Sequence, residues 1–110
     1  MHRPCGLCLS KGPNPIAYIG ESAPGLAINA NIPNIGPRVS LWTSKGEHLA
    51  TLGDTTRDAP SQFIAPHGVA VDQHGDIYVG EVSRTSMRNK GTIVPPEQHV
   101  RCMQKLIKLG

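Results

Sequence analysis

An internal repeat restricts the possible folds of this 110-residue chain more than any other feature of the sequence. RPCGLCLSKGPNPIAYIGES and PHGVAVDQHGDIYVGEV both run from Pro-x-Gly through a short apolar segment and a turn to Tyr-aliphatic-Gly-Glu. The Pro-x-Gly motifs begin at Pro4 and Pro66, and the tetrads begin at Tyr18 and Tyr78. Such ordered self-similarity indicates a repeat architecture rather than a single compact fold.

Each repeat is predicted to be β-structure. In GVAVD, Val69 and Val71 point to one face and Ala70 to the other, which is the period of a strand. IYVGEV is apolar on both faces, which is typical of a strand covered by two layers. RVSLWTS and EHLATLG are predicted as the third and fourth strands of the first repeat, with a Gly turn between them.

The C-terminal segment VRCMQKLIKLG could form a short helix, but its alignment with RVSLWTSKG, with Arg38 on Arg101, favours a strand. Four antiparallel strands per repeat, apolar on both faces, predict an all-β chain made of β-propeller blades. We expect residues 1–110 to form part of a propeller, with a complete four-stranded blade at about 5–53. An incomplete blade without a fourth strand is expected at about 63–110.

Charge and composition restrict the partners of the chain. Eleven Lys and Arg against eight Asp and Glu give a net charge of +3, spread along the sequence, so a nucleic-acid partner is not indicated. The basic cluster in SRTSMRNKG contains no aromatic residue and is predicted to be a solvated loop. No apolar run predicts a membrane span or a secretory signal, and three cysteines favour a reducing, cytoplasmic compartment.

FIAPHGVAVDQHGDIYVGEV and PRVSLWTSKGEHLATLG resemble NHL repeats, closely over 35–84 and loosely over 1–34 and 95–110. The family pattern has Phe-x-x-Pro-x-Gly-aliphatic, an Ile-Tyr-Val strand and an Arg-Val start to the third strand. The chain departs from it in two respects, with Glu in place of Asp at the end of the tetrad and with long loops between the second and third strands. Within NHL propellers, the PHG and HRPCG segments look most like bacterial relatives of peptidyl-α-hydroxyglycine α-amidating lyase.

This resemblance implies a C-terminal part of a six-bladed propeller, whose partners are the remaining blades and whose intact form is a zinc-dependent lyase. It also implies that His67, in PHG, and His2, in HRPCG, are zinc ligands. Alternatively, His67 is a turn residue whose ring hydrogen-bonds the neighbouring blade. A catalytic zinc site needs three protein ligands, which two histidines do not supply.

Structural roles are predicted for three other sets of residues. The spacing of Cys5 and Cys8 matches a metal or redox motif, but their place in a strand predicts buried thiols without a disulfide. Because both repeats carry the glutamate, Glu21 and Glu81 are predicted to cap the turn after the second strand. The equivalent tyrosines of the tetrads are predicted to pack between blades.

Two alternatives to the lyase remain open. In the first, the propeller is a non-enzymatic scaffold that presents loops 22–36 and 84–98 to a protein or RNA, or binds a small molecule or peptide. In the second, three copies of this two-blade chain associate to complete a six-bladed ring.

Overall fold

Seven β-strands form two antiparallel sheets in the computed structural model of the protein, which describes residues 4–22, 37–53, 63–83, 95–98 and 100–109. The first sheet has the order β1-β2-β3-β4 and the second the order β5-β6-β7. The strands of the first sheet are Pro4–Leu9 (β1), Ile16–Glu21 (β2), Arg38–Thr43 (β3) and His48–Leu52 (β4). Those of the second are Pro66–Val71 (β5), Ile77–Glu81 (β6) and Met103–Leu106 (β7). The all-β prediction is confirmed, as is the strand rather than the helix in the C-terminal segment.

Tight turns that contain glycine connect β3 to β4 and β5 to β6, as the sequence predicts. The β3–β4 turn is closed by a hydrogen bond from the Gly46 amide to the Thr43 carbonyl, and the β5–β6 turn by one from the Gly75 amide to the Asp72 carbonyl. Both glycines have a positive φ, of 89° and 85°, a conformation that side chains with a Cβ disfavour.

The first two strands of each sheet pair in the same register. Gly6 pairs with Gly20 in the first sheet and Gly68 with Gly80 in the second. In each sheet the pairing skips one residue between the Pro and the Gly of Pro-x-Gly, which is the signature of a β-bulge. The repeat is therefore present in the backbone pairing, with the same alignment of the two copies that the sequence shows.

The third strands require a correction to the sequence alignment. Gly20 pairs with Val39 and Gly80 with Met103, so Val39 and Met103 are structural equivalents and Arg38 corresponds to Cys102. Aligning Arg38 with Arg101 therefore displaces the register by a single position. Arg38 is the first residue of β3, whereas Arg101 lies before β7, and a long side chain reaches the same place in the sheet from either position.

One face of the first sheet packs against the second sheet and forms the core. The two sheets approach each other along β1, β2 and β5. The buried core cluster consists of Tyr18, Val39, Phe63, Ile77 and Val79. Each fully buried side chain of this kind contributes about 1.5–3 kcal/mol to stability.

Glycine permits the close approach of the sheets. A Cβ on Gly6 would overlap the carbonyl oxygen of His67, and a Cβ on Gly20 would lie 3.0 Å from a methyl group of Val69. Any other residue at Gly6 would force β1 and β5 apart.

Candidate functional site

The two bulges place Cys5 and His67 at equivalent positions on neighbouring strands. β1 and β5 are the first strands of their sheets, and each forms a sheet edge. Each bulge removes its central residue from the regular ladder and redirects its side chain. Both side chains are exposed, and Gly6 packs directly on the backbone carbonyl of His67. The bulges therefore lie against each other at one edge of the two packed sheets.

Ser22 connects the two bulges. Its hydroxyl donates a hydrogen bond of 2.8 Å to the buried carbonyl oxygen of Pro66, and it lies 3.2 Å from the Sγ atom of Cys5. The backbone of the second bulge is thus fixed to the end of β2. The close contact with Gly6 is made by the backbone of His67, and His67 as a whole is exposed.

The described residues do not make a zinc site by themselves. They contain no group of three His, Cys, Asp or Glu side chains placed to hold a metal ion. His67 supplies one exposed imidazole donor, and His2 lies outside the described residues. Since a catalytic zinc site uses three protein ligands, the donors on these strands fall short of the set that the chemistry requires.

The prediction of buried thiols is wrong. Cys5 and Cys102 are exposed, Cys8 is half-buried against the core, and none of the three is in a disulfide. The alternation that places a strand residue inside or outside assumes an unbroken ladder, and the bulge at Cys5 breaks it. The bulge falls between the Pro and the Gly of both copies, so the repeated Pro-x-Gly motif is the sequence signal that accompanies it.

The carboxylate of Glu81 is buried and holds the chain segment that leads into β5. Its Oε1 accepts hydrogen bonds from the amides of Ile64 at 2.5 Å and Ala65 at 3.1 Å. Its Oε2 accepts one from the Gln104 side chain at 3.1 Å and lies 3.9 Å from the Arg101 guanidinium. Glu81 therefore has a structural role, but it fixes the segment before the first strand rather than the turn after the second.

Glu21 occupies the equivalent place in the first sheet and is also buried. It pairs with Arg38 at 3.2 Å and accepts a hydrogen bond of 2.6 Å from Ser40. The Trp42 indole in turn donates to the Ser40 hydroxyl at 2.9 Å. Because the buried Glu21 carboxylate is paired with Arg38 and Ser40 on the neighbouring strand, Glu21 ties β2 to β3 and has a structural role.

The β5–β6 turn contains a polar network that sequence reasoning missed. Burial opposes the charge of Asp72, but hydrogen bonds from the amides of Asp76 and His74 and from the Tyr78 hydroxyl outweigh it and lower the pKa of Asp72 below its ordinary value. The Lys105 ammonium lies 5.3 Å from the Tyr78 ring centroid, and its hydrogen bond to Tyr78 raises the pKa of Lys105. An Asp at the start of a Gly turn was the available signal, because such side chains bond the backbone two residues on.

No protein-family model, no curated protein and no solved structure matches the chain. Among the described residues, no helix combines the length and the apolar character that crossing a membrane requires. The candidate site is therefore defined by its geometry alone, the two equivalent bulges at Cys5 and His67.

Proposed function

We propose that this chain forms two neighbouring blades of an NHL-type β-propeller and acts as a ligand-binding module through the bulge residues Cys5 and His67. The observation that carries the proposal is the pair of equivalent bulges on adjacent first strands. In a propeller the first strand of each blade borders the central channel, so residues at this position converge on one ligand from several blades.

The contacts between the sheets support the arrangement as blades. The two sheets repeat the same strand order and register, and they pack face to face with β5 against β1 and β2. Consecutive repeats that pack only on their neighbours are the defining feature of such architectures. The loops proposed to present a protein- or RNA-binding surface lie mostly outside the described residues.

The donor chemistry at the bulges favours a small molecule or peptide with hydrogen-bonding groups, or a soft metal ion. A thiol and an imidazole are both metal donors, and both are hydrogen-bonding groups. Both residues are exposed and outside the buried core cluster, so a ligand can reach this edge of the sheets.

A zinc-dependent lyase is the second candidate, and the exposed imidazole of His67 favours it. This candidate needs further donors, from His2 or from other blades, because the described residues supply too few. Zinc catalysis at this position therefore requires donors beyond the two described sheets, whereas binding of a metal ion by the exposed bulge residues is tested on the chain itself.

Calorimetric titration of the purified chain with Zn²⁺ tests the role of His67. We expect His67→Ala to weaken Zn²⁺ binding at least tenfold, while the matched control His74→Ala, an exposed histidine in the β5–β6 turn, binds as the wild type does. Cys5→Ser tests the thiol in the same way, and His2→Ala tests the second predicted donor. Equal affinity of the wild type and His67→Ala would contradict the proposed role of His67.

A further inference from the structure

The two packed sheets bury opposite faces of the repeat. The face of the first sheet that meets the second carries Gly6, Tyr18, Gly20 and Val39. By the repeat register, the equivalents of these residues lie on the far side of the second sheet, away from the first. They are Gly68, Tyr78, Gly80 and Met103. The second sheet thus presents to the outside the same two glycines and tyrosine that its neighbour has covered, with Lys105 in the place of Leu41.

The converse holds for the first sheet. The second sheet packs into the core with Val69, Val71 and Val79, and the register equivalents of these residues are Leu7, Leu9 and Ile19. Leu7 is 63% exposed and Leu9 is 56% exposed, whereas Val79 is fully buried. Two of the apolar side chains that fill the internal interface therefore have exposed equivalents, Leu7 and Leu9, on the outer face of the first sheet, and the third equivalent, Ile19, is half-buried.

Glycine supplies an independent observation. Gly6 and Gly20 are required by the close approach of the second sheet. Their equivalents differ, since a Cβ on Gly68 would meet nothing within 4 Å and one on Gly80 only a backbone oxygen at 3.9 Å. Neither Gly68 nor Gly80 has a positive φ. A glycine inside a strand is destabilising relative to alanine, and no contact within the described part of the chain requires glycine at either position.

We propose that copies of this chain associate head to tail, with the outer face of the first sheet of one copy packed on the outer face of the second sheet of the next. A partner that covers the outer face of the second sheet, with Gly68 and Gly80, must present apolar side chains as the second sheet does in the internal interface. Leu7, Leu9 and Ile19 are the residues of this chain at those positions. A second copy carries them in the same register that already fills the internal interface. This inference rests on the repeat packing used in the proposed function, but it names a partner and a surface that binding at the bulges does not require.

The predicted interface joins two different faces, so it is heterologous and repeats from copy to copy. In the internal interface Val69 lies against Gly20, and in the proposed one Leu7 of one copy lies against Gly80 of the next. The exposed Met103, 63% accessible, occupies the place of the fully buried Val39 and becomes covered. Head-to-tail association closes into a ring when a whole number of copies, each rotated by the same angle from the last, completes a full turn.

Sedimentation velocity on the purified chain and its charged variants tests the proposal. We expect the wild type to sediment as a multiple of the 11.8 kDa chain mass. Leu7→Asp and Met103→Asp each remove one of the two faces and should give monomers. The matched control Leu109→Asp, at a 90% exposed position outside the strands, should sediment as the wild type does.

Mixing the two monomeric variants distinguishes a head-to-tail interface from a symmetric one. Each variant keeps the face that the other has lost, so the mixture should form a dimer of twice the chain mass and nothing larger. A symmetric interface would leave the mixture monomeric, and a wild type that stays monomeric at every concentration would equally overturn the proposal. Gly68→Ala should weaken wild-type association while making the monomeric Leu7→Asp variant no less stable to unfolding.

These outcomes are separate from those of the zinc titration. A monomeric wild type that still loses Zn²⁺ binding in His67→Ala would refute self-association and leave the binding role of His67 in place. An oligomer whose Zn²⁺ affinity is unchanged in His67→Ala would refute the binding role of His67 and leave self-association in place.

Discussion

Replacing Glu81 by alanine removes a buried carboxylate that serves four partners. One of its oxygens accepts the amides of Ile64 and Ala65, and the other accepts the Gln104 side chain and lies near Arg101. Alanine offers none of these groups an acceptor, and the space left by the carboxylate is closed to solvent.

The expected loss follows from the partners that remain. Each backbone amide left buried without an acceptor costs about 1–3 kcal/mol. The Arg101 side chain is 38% exposed and returns to water, so it adds at most about 1 kcal/mol. We expect Glu81→Ala to lower the free energy of unfolding by about 3–5 kcal/mol, a large share of the roughly 5–15 kcal/mol typical of a natural protein.

Urea denaturation followed by far-ultraviolet circular dichroism measures this loss, at one protein concentration because association would add to stability. Glu81→Gln should lose less, about 1–3 kcal/mol, since its remaining oxygen still accepts the two amides. Glu97→Ala makes the same chemical change at an exposed residue and should stay within about 0.5 kcal/mol of the wild type. A Glu81→Ala loss no larger than that of the control would refute the structural role.

Three further variants test other parts of the structure. Gly6→Ala places a Cβ against a backbone oxygen of β5 and should reduce the unfolding free energy by at least about 1–3 kcal/mol, measured by the same denaturation; unchanged stability would contradict the close packing of β1 on β5. Ser22→Ala leaves the buried carbonyl of Pro66 without its donor and should cost about 1–3 kcal/mol, a loss that Ser22→Thr should partly restore. Because the pKa of Asp72 is lowered in the folded state, its charge stabilises the fold above about pH 4, and this contribution is lost as the pH falls through the folded pKa. Asp72→Asn should therefore flatten the pH dependence of thermal stability below pH 4, and a curve parallel to that of the wild type would exclude the network with Tyr78 as its cause.

The strands were readable from the sequence because the repeat supplies a comparison within one chain. Val69 and Val71 face the core and Ala70 faces outward, as the alternation predicts, and the two Pro-x-Gly motifs fixed the register of the first two strands. The alignment of the third strands was wrong by one position. Arg38 and Arg101 are the same residue type, but a long arginine side chain reaches the same place in the sheet from two neighbouring positions.

The candidate site was predicted only in part. His67 was identifiable as a candidate ligand from the residues around it, but the exposure of the equivalent Cys5 depends on a bulge that no local composition signals, and so Cys5 was predicted to be buried. The segment that Glu81 holds before β5 was also unpredictable, since the contact joins residues 16 and 17 positions apart through a carboxylate. Local sequence predicts elements well and predicts such distant polar pairings poorly.

The bulge between Pro and Gly has a consequence for how such a chain changes over evolutionary time. The flanking residues carry the pairing and the packing, so substitutions there are selected for folding. The central residue has its side chain exposed in both copies, and a thiol in one copy and an imidazole in the other present different chemistry on the same backbone framework. Duplication of such a unit multiplies positions that diverge independently, and a new specificity can arise in one repeat without loss of the framework in the other.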